Sequence, residues 1–270
     1  MKTKTLFVFL LIINHLFGQS LETTEVIVIG NPHTNNTYYN AKVVDSLLTN
    51  IQPDLILVEF DSSFFNSEFS YDTIKHPQLL KRNSSPNTIG TNNYVSKHKS
   101  AIIRPFDISG RNDSLRKHEY FTIKPKMYDA IFKSAHKGLL SPRNERDFIL
   151  LAKSLYSINT LKIESLKQLN SNFLANLMFL QQNVYLNSAI NITETTDSLK
   201  KYNEFANWQA GFWEKRNDIM VKNISYFINT KQYKRIVILT GNMHIFYIKE
   251  GLKRKEGYKT NFVIKEFRDY

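Results

Sequence analysis

Two kinds of hydrophobic pattern alternate along this chain: short apolar runs without polar interruption, and longer stretches whose apolar residues recur every three or four positions. "EVIVIG" (Glu25 to Gly30) and "LILVEFD" (Leu55 to Asp61) are runs of the first kind, rich in aliphatic and β-branched side chains. Unbroken runs of this length predict strands covered on both faces. Between them, "TYYNAKVVDSLLTNI" places Tyr39, Val43, Leu47 and Ile51 on one helical face, with Asn36 or Thr37 set to cap the helix and "QPD" to end it. Strand, helix, strand in this order predicts two parallel strands joined by a crossover.

The stretch from Ser62 to about Pro142 is less regular. It is rich in Asn, Ser, Lys and Pro, as in "KRNSSPNTIGTNNY", and contains one further predicted strand at "AIIRPFDI". The remainder reads as loops of a variable insertion, the kind of segment that carries substrate selectivity. Helical periodicity returns from Pro142 to about Leu186 and from about Asp197 to Asn229. "YKRIVILTGNMHIFYIKEGLKR" and "KTNFVIKEFRDY" then predict strand, helix and final strand. The expected fold class is α/β, an interrupted mixed β-sheet flanked by helices with a helical middle region, forming a single domain over residues 20–270 with an insertion at about 62–142.

The N-terminus changes the picture of where this domain works. "MKTKTLFVFLLIINHLFGQS" has two lysines, an apolar stretch from Leu6 to Phe17 and then small and polar residues, the layout of a secretory signal peptide over residues 1–19. Its apolar run is short for a membrane span. The expectation is export to a periplasm or out of the cell, with cleavage near Gly18 or Gln19 and no transmembrane helix left afterwards. The chain has no cysteine, so disulfides and a lipid-anchored cysteine are excluded. Loss of Lys2 and Lys4 would leave 34 basic residues against 24 acidic ones, a formal charge of +10. Those cations are dispersed, as in "KHKSAIIR" and "LKIESLKQ", with no basic block and no aromatic-basic motif. A solvated basic surface is expected, and a nucleic-acid partner is not.

Candidate chemistry converges on the strand ends. His33 follows the first strand in Gly30-x-x-His33, His244 follows the "RIVILTG" strand in Gly241-x-x-His244, and Glu59 ends "LILVE". In a parallel sheet these ends share one edge, where open α/β folds bind ligands. A fourth group lies on a helix, where Trp208, Phe212, Met220, Ile224 and Phe227 form an apolar stripe that contains Arg216. A guanidinium on an inward stripe requires a carboxylate or a ligand's anion to meet it. Asp218 falls off that stripe, Asp61 reads as a turn cap, and His76, His98, His118 and His136 read as ordinary loop or surface residues. No Gly-x-Ser-x-Gly elbow, phosphate loop or dinucleotide fingerprint occurs.

"VIVIGNPHTNN…VVDSLLTNIQPDLILVEFD" and "WEKRNDIMVKNISYFI…RIVILTGNMHIFYIKEGL" together resemble the TraB/GumN/TIKI family, within the superfamily that also holds ChaN haem-binding proteins and erythromycin esterases. The matching positions are Gly30 and His33, Glu59, Arg216 and Asn217, Gly241 and His244, over roughly the first forty and last sixty residues of the mature chain. The resemblance implies an interrupted α/β sheet with a crevice at one edge, and a metal-dependent peptidase built on the histidines and the glutamate. It also allows a metal-free His and Glu hydrolase, or haem binding without hydrolysis. Chemically, His33, Glu59 and His244 suit zinc, manganese or cobalt, and Gly30, Gly241 and Asn217 would shape the binding site. Arg216 would stabilise an oxyanion or hold a substrate carboxylate, and without metal a His and Glu pair typically contributes about 10²–10⁴-fold in rate. Tyr38 and Tyr39 are further candidate haem ligands, Tyr39 also fitting the core face of its helix. The expected partner is a peptide or small-molecule substrate.

Overall fold

A computed structural model describes residues 23–81, 84–230, 233–254 and 261–270; the expected signal peptide lies outside them. Five strands, β1 (Thr24–Asn31), β2 (Leu55–Val58), β3 (Ile102–Pro105), β4 (Arg235–Gly241) and β5 (Phe262–Lys265), form one sheet in the order β3-β2-β4-β1-β5. All four pairings are parallel, so the sheet is wholly parallel where a mixed one was expected. The reason lies in the connections: helices link successive strands, and a crossover returns the chain to the same sheet end each time. The strand, helix, strand unit over β1 and β2 is present, but β4 inserts between its two strands.

The unbroken apolar runs follow from cover on both faces. Ile27, Ile29, Ile56, Val58, Val237 and Leu239 point to one side, where α1 (Ala41–Ile51) and α2 (Pro86–Lys97) pack. Val26, Val28, Leu55, Leu57, Ile236 and Ile238 point to the other, against Met220 and Ile224 of α8 (Asn203–Asn229) and Ile248 and Leu252 of α9 (Ile245–Lys253). Alternation along each strand thus feeds two cores. A third core, around Met127, Ile131, Ile192 and Phe205, joins α4 (Tyr120–His136), α7 (Asn172–Thr195) and α8. The remaining helices are α3 (Arg111–Lys117), α5 (Pro142–Asn159) and α6 (Leu166–Leu169). Among the described residues no helix is long and apolar enough to cross a membrane.

Two local expectations differ. Helix α1 is capped by Asn40, whose side chain accepts from the amides of Lys42 and Val43, while Asn36 closes a separate turn onto Tyr38 and Tyr39. The later start rotates the buried face to Val44, Leu48 and Ile51, leaving Val43 and Leu47 only half-buried. The region read as loops contains three helices, α2, α3 and α4. Helix α2 buries Asn87, Thr88, Gly90 and Thr91 rather than an aliphatic stripe. A side chain at Gly90 would collide with Val44 of α1, so close helix packing replaces the apolar periodicity that betrays most helices.

Candidate active site

The parallel sheet sends four polar strand ends to one edge. After β1 come Asn31 and His33, after β2 Glu59, after β3 Asp107, and after β4 Thr240, Gly241 and His244. Helix α8 passes behind them and supplies Arg216 and Asn217, both buried.

Arg216 is the hub. Its Nε and Nη2 donate to the two oxygens of Asp107, each at 2.8 Å, and Nη2 also reaches Glu59 Oε1 at 2.6 Å. The anion that the apolar stripe demanded is therefore supplied by the protein itself, twice. Nη1 lies 3.0 Å from His244 Nε2, and because a guanidinium can only donate, that nitrogen accepts. The ring proton of His244 therefore sits on Nδ1 and is donated to Asn217 Oδ1 at 2.6 Å. Asn217 is oriented in turn by donating to the Trp213 carbonyl at 2.8 Å, and the Trp213 ring stacks on His244 with centroids 4.6 Å apart.

Glu59 completes the network. Its Oε2 accepts from the Gly241 amide at 2.5 Å and from Thr240 Oγ1 at 2.9 Å. Burial works to raise its pKa, but electrostatic attraction to His244, Arg216 and His33 and the hydrogen bond from the Gly241 amide outweigh it and hold the carboxyl down at about 2. Burial pushes the His244 imidazole down to about 4 against the attraction of Glu59, with Arg216 adding to the fall. At neutral pH the site thus holds an ionised Glu59, a neutral His244 and a charged Arg216.

His33 differs from the rest because it is exposed. It occupies the left-handed region at φ 61°, held there by its amide bond to Asn31 Oδ1 at 2.9 Å, and Asn31 itself donates to the Thr240 carbonyl at 2.6 Å. The two glycines of the matched motifs do different work from the sharp exit expected of them, since neither has a positive φ. A Cβ on Gly241 would run into the His33 ring and lie 3.3 Å from Glu59 Oε2, so this glycine leaves the space in which the His33 ring lies over the sheet edge beside Glu59. A Cβ on Gly30 would strike Ile245, and its backbone is gripped by Asn170, which accepts from the Gly30 amide at 2.6 Å and donates to its carbonyl at 3.0 Å.

The network floors a cleft of 480 Å³ whose walls include His33, Asn87, Arg111, Trp213 and Met243. Arg111 donates to Asp107 Oδ2 at 3.1 Å, which leaves further N–H groups for a ligand. The structure brings His33, Glu59, Arg216, Asn217, Gly241 and His244 together at this edge and sets Gly30 one step behind, as packing. Asp61 caps the turn at 62–64, Asp218 is exposed, and His76, His98, His118 and His136 lie outside the cleft lining. Asp107 and Arg111 were missed, although "RPFD" after β3 repeats the Phe-Asp ending of "VEFD" after β2.

A metal on His33, Glu59 and His244 fits these side chains poorly. Both Glu59 oxygens accept hydrogen bonds, one of them from a guanidinium, and His244 has one nitrogen protonated and the other accepting from Arg216. Among the described residues no three His, Asp or Glu side chains are grouped as a metal requires. Of the expected haem ligands His33 alone is exposed, because Tyr39 is fully buried and bonded to Asn87 and Tyr38 is half-buried against the same core. Comparison of the chain with family models, with curated proteins and with solved structures returns no match.

Proposed function

We propose that this chain is an exported hydrolase of the TraB/TIKI type that cleaves a peptide or related amide or ester bond, with His33 activating water directly. One observation carries the reading: an exposed imidazole lies beside an ionised carboxylate that a buried arginine network holds in place. Glu59, held near pKa 2, is too weak a base to take a proton from water itself. Its negative charge instead stabilises the imidazolium that forms when His33 accepts that proton. The resulting hydroxide attacks the carbonyl carbon, negative charge gathers on the carbonyl oxygen opposite Arg111, and His33 returns its proton to the leaving amine or alcohol. Arg216 takes the place of a scaffold: every bond it makes is to Glu59, Asp107 or His244. The signal-like N-terminus, with Lys2, Lys4 and the apolar run to Phe17, supports export.

The test is turnover of a panel of peptide, amide and ester substrates by the mature protein, with and without prior chelation. Chelation is expected to leave turnover unchanged, and His33→Ala to lower kcat by about 10²-fold or more with the fold intact. Full turnover in His33→Ala would end this mechanism. Near-stoichiometric bound metal that disappears in the His33→Ala/His244→Ala double variant would replace it with the three-ligand one.

A further inference from the structure

A second cavity of 380 Å³ opens off the cleft, sharing Arg111, Trp213, Arg216 and Met243 with it. Its outer walls are aromatic: Tyr120 and Phe121 from the start of α4, Tyr185 from α7, and Phe212 from α8. Phe121 is 72% exposed, a large apolar side chain left at the rim without cover.

Two polar groups in this cavity lack the partners their chemistry calls for. Gln209 is only 6% exposed, yet its Oε1 accepts no hydrogen bond. An orphaned buried amide oxygen is costly unless something enters to meet it. Lys124 is half-buried, and its Nζ donates to the Tyr120 hydroxyl at 2.8 Å and lies over the rings of Tyr120 and Tyr185 at 5.0 and 5.6 Å. Among the described residues no carboxylate pairs with it. Its hydrogen-bond partners are the phenol hydroxyls of Tyr120 and Tyr185, and an ammonium with three donors held this way can also take an anion.

We infer that this cavity is a specificity pocket for an aromatic residue carrying a free carboxylate: the ring lies among Tyr120, Tyr185 and Phe212, the carboxylate meets Lys124, and an amide N–H donates to Gln209. This rests on the hydrolase reading of the adjoining cleft, and makes the substrate a peptide or acylated amino acid with an aromatic carboxy-terminal residue.

Binding can be followed without turnover, because the chain's two tryptophans, Trp208 and Trp213, both lie here: Trp213 lines the cavity and Trp208 stacks on Phe212. The mature protein is titrated with N-acetyl-L-phenylalanine and with its neutral amide, reading tryptophan fluorescence. The carboxylate is expected to bind about tenfold more tightly, as a charge-assisted contact predicts. In Lys124→Met the two probes bind alike, in Lys124→Arg the preference persists, and Gln209→Leu weakens both. Equal affinities in the parent protein, or a preference that survives Lys124→Met, would overturn the inference. His33→Ala should keep the carboxylate preference, because His33 is not part of this cavity; a preference in the parent protein with no hydrolysis of any substrate by that parent would sink the hydrolase reading and leave the pocket standing. Hydrolysis without the preference would do the reverse.

Discussion

Replacing Arg216 by methionine separates a scaffold arginine from one that serves the substrate. The guanidinium side chain is 11% exposed and its partners Asp107 and Glu59 are 0% and 7% exposed, so the change leaves two carboxylates in a dry site without their main cation. Breaking a buried pair in this way typically costs about 3–5 kcal/mol. Here the lower half of that range applies, because Asp107 keeps Arg111 at 3.1 Å and Glu59 keeps the Gly241 amide and Thr240. For a domain of this size the melting temperature should fall by about 10 °C. Arg216→Lys should recover only part of the loss, since one ammonium cannot present the fork that reaches Asp107, Glu59 and His244 together. The pH dependence supplies an internal control. In the parent protein the Glu59 pKa is lowered from 4.5 to about 2, so its stabilisation is present above about pH 4.5 and is lost as pH falls toward 2. Without Arg216 the folded-state pKa of Glu59 rises, and the deficit of the variant should narrow as pH is lowered from 7 to 4. Thermal unfolding followed by circular dichroism across that range measures both effects. A variant that melts within about 2 °C of the parent at every pH, while kcat/KM collapses, would refute the scaffold role and return the guanidinium to the substrate.

Other perturbations test the neighbours. His244 has a pKa lowered from 6.5 to about 4 in the fold, so the unfolded chain binds a proton first; stability should decline as pH falls from about 6.5 to 4, by up to about 3 kcal/mol, in denaturant titrations at stepped pH. Gly241→Ala should displace the His33 ring and lower turnover with little change in melting temperature, because the two closest obstructing atoms belong to an exposed side chain and Glu59 Oε2, at 3.3 Å, needs to give only slightly. Gly30→Ala meets buried Ile245 instead and should cost about 1–3 kcal/mol in stability; equal behaviour of the two variants in paired melting and activity assays would contradict the division of labour. His33→Gly should keep or slightly raise stability while abolishing turnover, since the residue is exposed and sits at φ 61°; a large drop in melting temperature would show that its ring is structural.

What could be read from the residues was whatever depends on strand ends and periodicity. Five apolar runs became the five strands, and the matched Gly-x-x-His turns, the strand-end Glu59 and the stripe Arg216 needed only one assumption, parallel strands, to meet at one edge. Asp107 escaped because its strand lies between two helices that carry no aliphatic stripe: α2 packs through Gly90 and small polar side chains, and α3 is seven residues of mostly polar sequence. Once β3 is placed beside β2, its Asp107 must arrive next to Glu59, and Arg216 is the cation both require. The role of Arg216 then changes for a reason of charge counting within the site rather than of motif. One guanidinium facing one carboxylate and one histidine retains several donors for a substrate, whereas Arg216, facing two carboxylates and a histidine nitrogen, commits all but one Nη1 N–H. The cations with most donors to spare are therefore to be sought one layer out, at Arg111 and Lys124, in the segment between β2 and α5 whose irregular composition marked it for selectivity but could not say how.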